Sequence, residues 1–163
     1  MPTSIPLRQR SVYSSPTGQQ DSARSAQHTE DKLVDTTVEL DVIQTDKAAA
    51  PIGPYSQAIR ANGFVFVAGE KGIDPTTNKM VEGGIAAETR QTLENIRNIL
   101  EEAGSSISRA VATTVYLTDI NAFAEMNAVY AEYFTTNPPG RTTVGVTSLP
   151  ADAQVEITVT ALA

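Results

Sequence analysis

The chain has no cysteine and no tryptophan, and its single histidine is His28. Without cysteine there are no disulfides, no thiol nucleophile and no thiolate metal site. One histidine, set in a polar stretch with few apolar residues, cannot supply a histidine-based triad or a histidine-ligated zinc centre. No run approaches the roughly 18 apolar residues of a membrane span. There is no apolar h-region to indicate secretion, and no Walker loop, dinucleotide fingerprint or HExxH motif. Cations are scarce as well. From Ala110 to Ala163 there is one, Arg141, against the five acids Asp119, Glu125, Glu132, Asp152 and Glu156.

The 163 residues carry a net charge of -7. Residues 1–35 hold four cations and four acids, so the whole excess of acid lies in the remainder. A domain this acidic repels phosphate backbones at long range, which disfavours nucleic acid as a partner. Residues 1–35 are rich in Ser, Gln, Thr and Pro and show no hydrophobic period. Two readings stand for this leader: a disordered tail, or a targeting presequence. The second rests on arginines without acids up to Gln20, and Pro2, Pro6 and Pro16 work against its amphipathic helix. The compartment follows from that choice: cytoplasm for a tail, mitochondrial matrix for a presequence.

The domain is expected over 36–163. Val38, Leu40 and Val42 alternate with Glu39 and Asp41 as in a half-buried strand. Pro51-Ile52-Gly53-Pro54 is a turn, Tyr55–Arg60 a strand, and Asn62-Gly63 a hairpin signal leading into the apolar run Phe64–Gly69. Asp74–Gly84 has loop composition. Ile85, Thr89, Leu93, Ile96, Leu100 and Ala103 recur at three or four residues, which predicts a helix over Ile85–Ala103 that stops at Gly104. Val111–Leu117 is strand-like. Asn121–Phe134 follows as a second helix with Phe123, Met126, Tyr130, Tyr133 and Phe134 on its apolar stripe, and Thr142–Val146 and Val155–Leu162 are the last strands. The order β-β-β-α-β-α-β-β places two helices on one face of a mixed sheet, an α+β fold. The other face carries too many Val, Thr and Ile to stay wet, and another copy of the chain is the simplest cover.

Arg141 follows Pro138-Pro139-Gly140, and its planar fork of donors suits a carboxylate. It is either a solvated arginine at a strand start or the anchor of a small-carboxylate ligand. Alternation puts Glu156 on the polar face of the last strand, where it can share a rim with Arg141, as a site or as a plain salt bridge. Asn127 lies beside an apolar stripe and either ties the helix to a loop or touches ligand. The loop Gly69-Glu70-Lys71-Gly72 has backbone donors that could cradle an anion. It also matches the G-x-x-G loop of KH domains, a signal that any short glycine pair gives.

Seven blocks, taken together, resemble the reactive intermediate deaminase (RidA/YjgF) family, whose older name is endoribonuclease L-PSP. They are Ala50–Ala58, Phe66–Gly69, Thr89–Ile96, Thr113–Asp119, Asn127–Tyr130, Pro139–Val144 and Val155–Ile157, in the family's order and across roughly residues 38–163. The resemblance implies a chorismate-mutase-like fold. It also implies a homotrimer with a central barrel and three clefts between subunits. The implied activity is hydrolysis of 2-imino acids to 2-keto acids and ammonia, without metal or organic cofactor. It implies that Arg141 binds the substrate carboxylate, that Glu156 activates water and that Tyr55 lines the cleft. Thr143, Gly69 and Asn127 match positions in or near it. The chain departs from many members at Ala68, Glu70 and Thr143, where Ser, Gln and Cys are common, and Glu70 is expected to add negative charge near the pocket. A non-catalytic small-carboxylate binder uses the same clefts, and an endoribonuclease is disfavoured by the acidic domain.

Overall fold

The computed structural model describes residues 39–163; the expected leader, 1–35, lies outside the described residues. Strands β1 (Asp41–Ile43), β2 (Ala58–Ala61) and β3 (Phe64–Glu70) form an antiparallel set. Asn62 and Gly63 close the β2–β3 hairpin with φ of 50° and 77°. Two left-handed residues in succession are what a type I′ turn demands, and Asn-Gly provides them at little steric cost. β2 starts three residues later than the expected strand Tyr55–Arg60. The preceding segment is held by turn bonds instead: Tyr55 donates its backbone N–H to the Gly53 carbonyl. The buried Gln57 amide donates to the Thr45 and Ala49 carbonyls and accepts from the Thr45 N–H.

The stretch expected as loop contains a small hairpin, β4 (Ile73–Asp74) with β5 (Lys79–Met80). Strands of two residues leave no alternation to read. Helix α1 spans Gly84–Glu102. Beyond it Gly104 is left-handed (φ 75°), and the Ser105 N–H reaches the Leu100 carbonyl at 2.8 Å. This is a Schellman stop, which glycine accommodates without strain. Then come β6 (Ala110–Leu117), helix α2 (Phe123–Tyr133), β7 (Gly140–Gly145) and β8 (Val155–Leu162). A short 3-10 turn, Ile120–Ala122, precedes α2, and the Asp119 side chain caps it by accepting from the Asn121 N–H. The six long strands make one mixed sheet in the order β1-β2-β3-β8-β6-β7, with β6 and β7 parallel.

Both helices cover the same face, as the element order predicts. Leu93, Ile96, Ile99 and Leu100 of α1 and Met126 of α2 pack on Val65, Val115, Val155, Ile157 and Val159 of the sheet, all buried. Each large side chain contributes about 1.5–3 kcal/mol relative to exposure. Arg90 of α1 grips Glu132 of α2 with both terminal guanidinium nitrogens, Nη1 and Nη2, at 2.5 and 3.0 Å. The opposite sheet face is different. Leu40, Val42, Phe64, Phe66, Val144 and Leu162 are exposed, and the β1–β2–β3 register sets Val42 and Phe66 on either side of Ile59 on one face of the sheet. The apolar alternation of the first strand therefore points away from the helices. No element among the described residues covers this face.

Candidate functional site

The β6–β7–β8 register decides where the candidate side chains point. Thr143 lies opposite Val115, which lies opposite Ile157, and both of these are core residues beneath the helices. Arg141, two residues before Thr143, therefore emerges on the helix side. Its guanidinium carbon sits 4.4 Å from the centroid of the Tyr130 ring and 5.6 Å from that of Phe123. A guanidinium this close to two aromatic faces gains cation–π attraction while its planar fork of donors suits a carboxylate. None of the ion pairs among the described residues involves Arg141. The Tyr130 hydroxyl is fixed by Thr113 at 2.8 Å, and burial pushes its phenol up from the ordinary value. Arg141, Tyr130 and Asn127 line a cleft of about 320 Å³ closed by Pro138 and Pro139. Asn127 is half-buried there, and no hydrogen bond among the described residues ties it to a loop. The Thr143 hydroxyl is buried without a partner.

Glu156 belongs to the other face. It lies opposite Tyr116, which lies opposite Val144, on the side away from the helices. The expectation that Arg141 and Glu156 share a rim therefore fails within one chain, because their positions in the register have opposite parity. Glu156 lines a second cleft, of about 290 Å³, with Ile52, Tyr55, Gly69, Lys71 and Pro150. The Tyr55 hydroxyl accepts from the Ile52 N–H at 3.3 Å, which holds its half-exposed ring at the mouth. Thus Tyr55, Gly69 and Glu156 come together on one side of the sheet, and Arg141, Thr143 and Asn127 on the other.

The Gly69–Gly72 loop is built for close packing. A bulge in β3 between Val67 and Glu70 shifts the register with β8. A Cβ on Gly69 would stand 2.4 Å from Oε1 of Glu156, and one on Gly72 would stand 2.6 Å from Cα of Glu88 in α1. These two approaches account for both glycines of the G-x-x-G match. Lys71, which sequence reasoning did not single out, donates from Nζ to the Gly69 carbonyl at 3.1 Å and to Oε2 of Glu156 at 3.2 Å. The ion pair is enclosed, with side-chain exposures of 8% for Lys71 and 19% for Glu156. A lysine beside a glutamate at the end of an apolar strand was the available signal, since buried charges come in pairs.

Glu70 corrects an expectation. It pairs with Ile157 and is buried on the core side of β8. Burial pushes its carboxyl up to about 8, with the Lys71 ammonium pulling it down and the Glu156 carboxylate pushing it up. At neutral pH it is mostly protonated, so it does not add the full negative charge its identity suggests.

Comparison with known proteins bears on both clefts. The family model described as endoribonuclease L-PSP matches residues 45–163. A RutC family protein of Pyrococcus horikoshii is 54% identical over 117 residues, covering 72% of this chain and 93% of the relative. The chain belongs to the RidA/YjgF family. Human 2-iminobutanoate/2-iminopropanoate deaminase is 41% identical over 121 residues, covering 74% of this chain and 88% of that protein. The crystal structure of a Rid family protein, YyfA of Yersinia pestis, superposes with a TM-score of 0.75 at 44% identity, covering 77% of this chain and all of the other. The α+β arrangement of two helices on a mixed sheet is thus the RidA/YjgF fold. Its match spans the elements that carry both groups of candidate residues.

Proposed function

We propose that the chain hydrolyses small 2-imino acids to 2-keto acids and ammonia in clefts between copies of itself. The observation that carries this reading is the split site. An arginine that makes no ion pair among the described residues lies on one face of the sheet, and a held carboxylate lies on the other, next to an uncovered apolar surface. A second copy packed on that surface, in a closed ring such as a trimer, would bring Arg141 of one chain to Glu156 of the next. The name of the human relative supports the substrate class.

In that cleft Arg141 forks the substrate carboxylate, and its charge makes the imine carbon more electrophilic. Thr143 offers its unpartnered hydroxyl and Asn127 its amide from the same side. Water held on Glu156 adds its oxygen to the imine carbon while a proton passes to Glu156. The C=N bond becomes a single bond as the nitrogen takes that proton from Glu156; the carbinolamine hydroxyl then gives its proton, by way of Glu156, to the nitrogen as the C–N bond breaks, releasing ammonia and leaving the keto acid. Tyr55 closes the mouth and can hydrogen-bond substrate or water. Imines already hydrolyse in water, so one anchor and one oriented water suffice. The family model's endoribonuclease description is not carried over, because a domain with this net charge repels RNA and the one histidine, His28, lies outside the domain.

The test is a coupled assay in which a PLP-dependent dehydratase releases 2-aminoacrylate and keto-acid formation is followed. Wild type should accelerate the second step. Arg141→Ala should lower kcat/KM by about 10²-fold, the worth of a charge-assisted bidentate contact. Keto-acid binding without acceleration would instead establish a non-catalytic binder.

A further inference from the structure

The Glu156 cleft contains a cation for which the proposed reaction has no use. Lys71 is almost wholly enclosed, and its ammonium is divided between the Gly69 carbonyl and Oε2 of Glu156. Enclosing a lysine costs side-chain freedom and hydration, so its location needs a reason. Here Oε2 is taken, whereas Oε1 lies over the bare Cα of Gly69, where a Cβ would stand 2.4 Å away. Oε1 accepts no hydrogen bond among the described residues. The arrangement grips one oxygen and leaves the other without a hydrogen bond, in a residue that lines the cleft.

We infer that Lys71 is a positioning residue that fixes the Glu156 carboxylate so that Oε1 meets the attacking water. The inference rests on the proposed hydrolysis for its catalytic meaning. Neighbouring charges support the assignment. Glu70, next in the chain, is mostly protonated at neutral pH because burial pushes it up to about 8, so it competes little for the ammonium. Glu88 of α1 is engaged elsewhere, accepting at 2.7 Å from both the backbone N–H and the side-chain amide of Gln154. Lys71 is therefore left to Glu156. Without it, the glutamate side chain regains its rotamers beside a glycine that offers no side-chain wall.

The test compares Lys71→Met, Lys71→Gln and Lys71→Arg in the coupled assay, with crystal structures of wild type and variants. Lys71→Met should lower kcat by about 10–100-fold, the cost of misplacing a reacting group by about 1 Å, with KM within about threefold. Lys71→Arg, which can still grip Oε2, should recover most of the loss. In the Lys71→Met crystal the Glu156 carboxylate should be displaced. Lys71→Gln serves if the Met variant does not fold. Unchanged kcat in a folded variant lacking the charge, or a carboxylate that stays in place, overturns the inference. If wild type fails to accelerate hydrolysis, the proposed function falls, and the position of Glu156 in the variant crystals still decides what Lys71 does.

Discussion

Replacing Glu70 by Gln should stabilise the protein at alkaline pH and change it little at acid pH. In the folded chain Glu70 keeps its proton until about pH 8, whereas its ordinary value is 4.5. Between these values the unfolded chain has released a proton that the folded chain still holds. Stability from this group is then fully present below the ordinary value, declines by up to about 1.4 kcal/mol per pH unit, and levels off above about pH 8. Taken in full, that interval amounts to about 5 kcal/mol. Relaxation around a buried charge reduces it to about 2–3 kcal/mol. Glutamine has nearly the same shape and no proton to lose. Urea unfolding of wild type and Glu70→Gln at pH 5, 7 and 9, at one fixed protein concentration, measures the difference directly. The two should lie close at pH 5 and separate progressively, the variant being more stable by about 2–3 kcal/mol at pH 9. Titrating groups that do not interact with Glu70 cancel in the comparison, and Lys71 and Glu156 are the two that interact with it. Parallel pH profiles would show that Glu70 releases its proton in the folded state at the ordinary value, and would refute the reasoning.

Gly69→Ala and Gly72→Ala should fail differently. The Gly69 variant pushes on the end of a side chain, so it should lose about tenfold or more in kcat by moving Glu156 while its Tm stays within a few degrees of wild type. The Gly72 variant meets the backbone of α1 and should instead lose about 1–3 kcal/mol of stability in the same urea titrations. Phe66→Glu places a charge in the centre of the uncovered sheet face. It should sediment as a monomer and lose hydrolysis while retaining its far-UV circular dichroism; an unchanged oligomer would show that this face is not the interface.

Much of the fold was legible because periodicity and punctuation agreed. The α1 stripe from Ile85 to Ala103 is buried along its length, and Asn62-Gly63 and Gly104 adopt the left-handed conformations their identities suggest. Alternation also put Val155, Ile157 and Val159 in the core. It could not say which neighbour each strand has. The sheet order and register set Arg141 and Glu156 on opposite faces, and those are long-range properties of β6, β7 and β8. Tyr130 was legible as a stripe residue but not as the platform beneath Arg141. Lys71 was missed because a lysine beside a glutamate at a strand end is only a weak signal of a buried pair. Its significance comes from a bulge and from an exposure of 8%, which only tertiary structure supplies.

The central claim is that one cleft takes Arg141 from one copy and Glu156 from the next. Co-expression of Arg141→Ala and Glu156→Gln chains, differently tagged so that mixed oligomers can be isolated, tests it most directly. Each variant alone should be nearly inactive. In any ring of three that holds both variants, an Arg141 chain adjoins a Glu156 chain in the right order at one cleft, about a third of the clefts. The account predicts that isolated mixed trimers recover about a third of wild-type activity. Mixed oligomers no more active than the separate variants would contradict it.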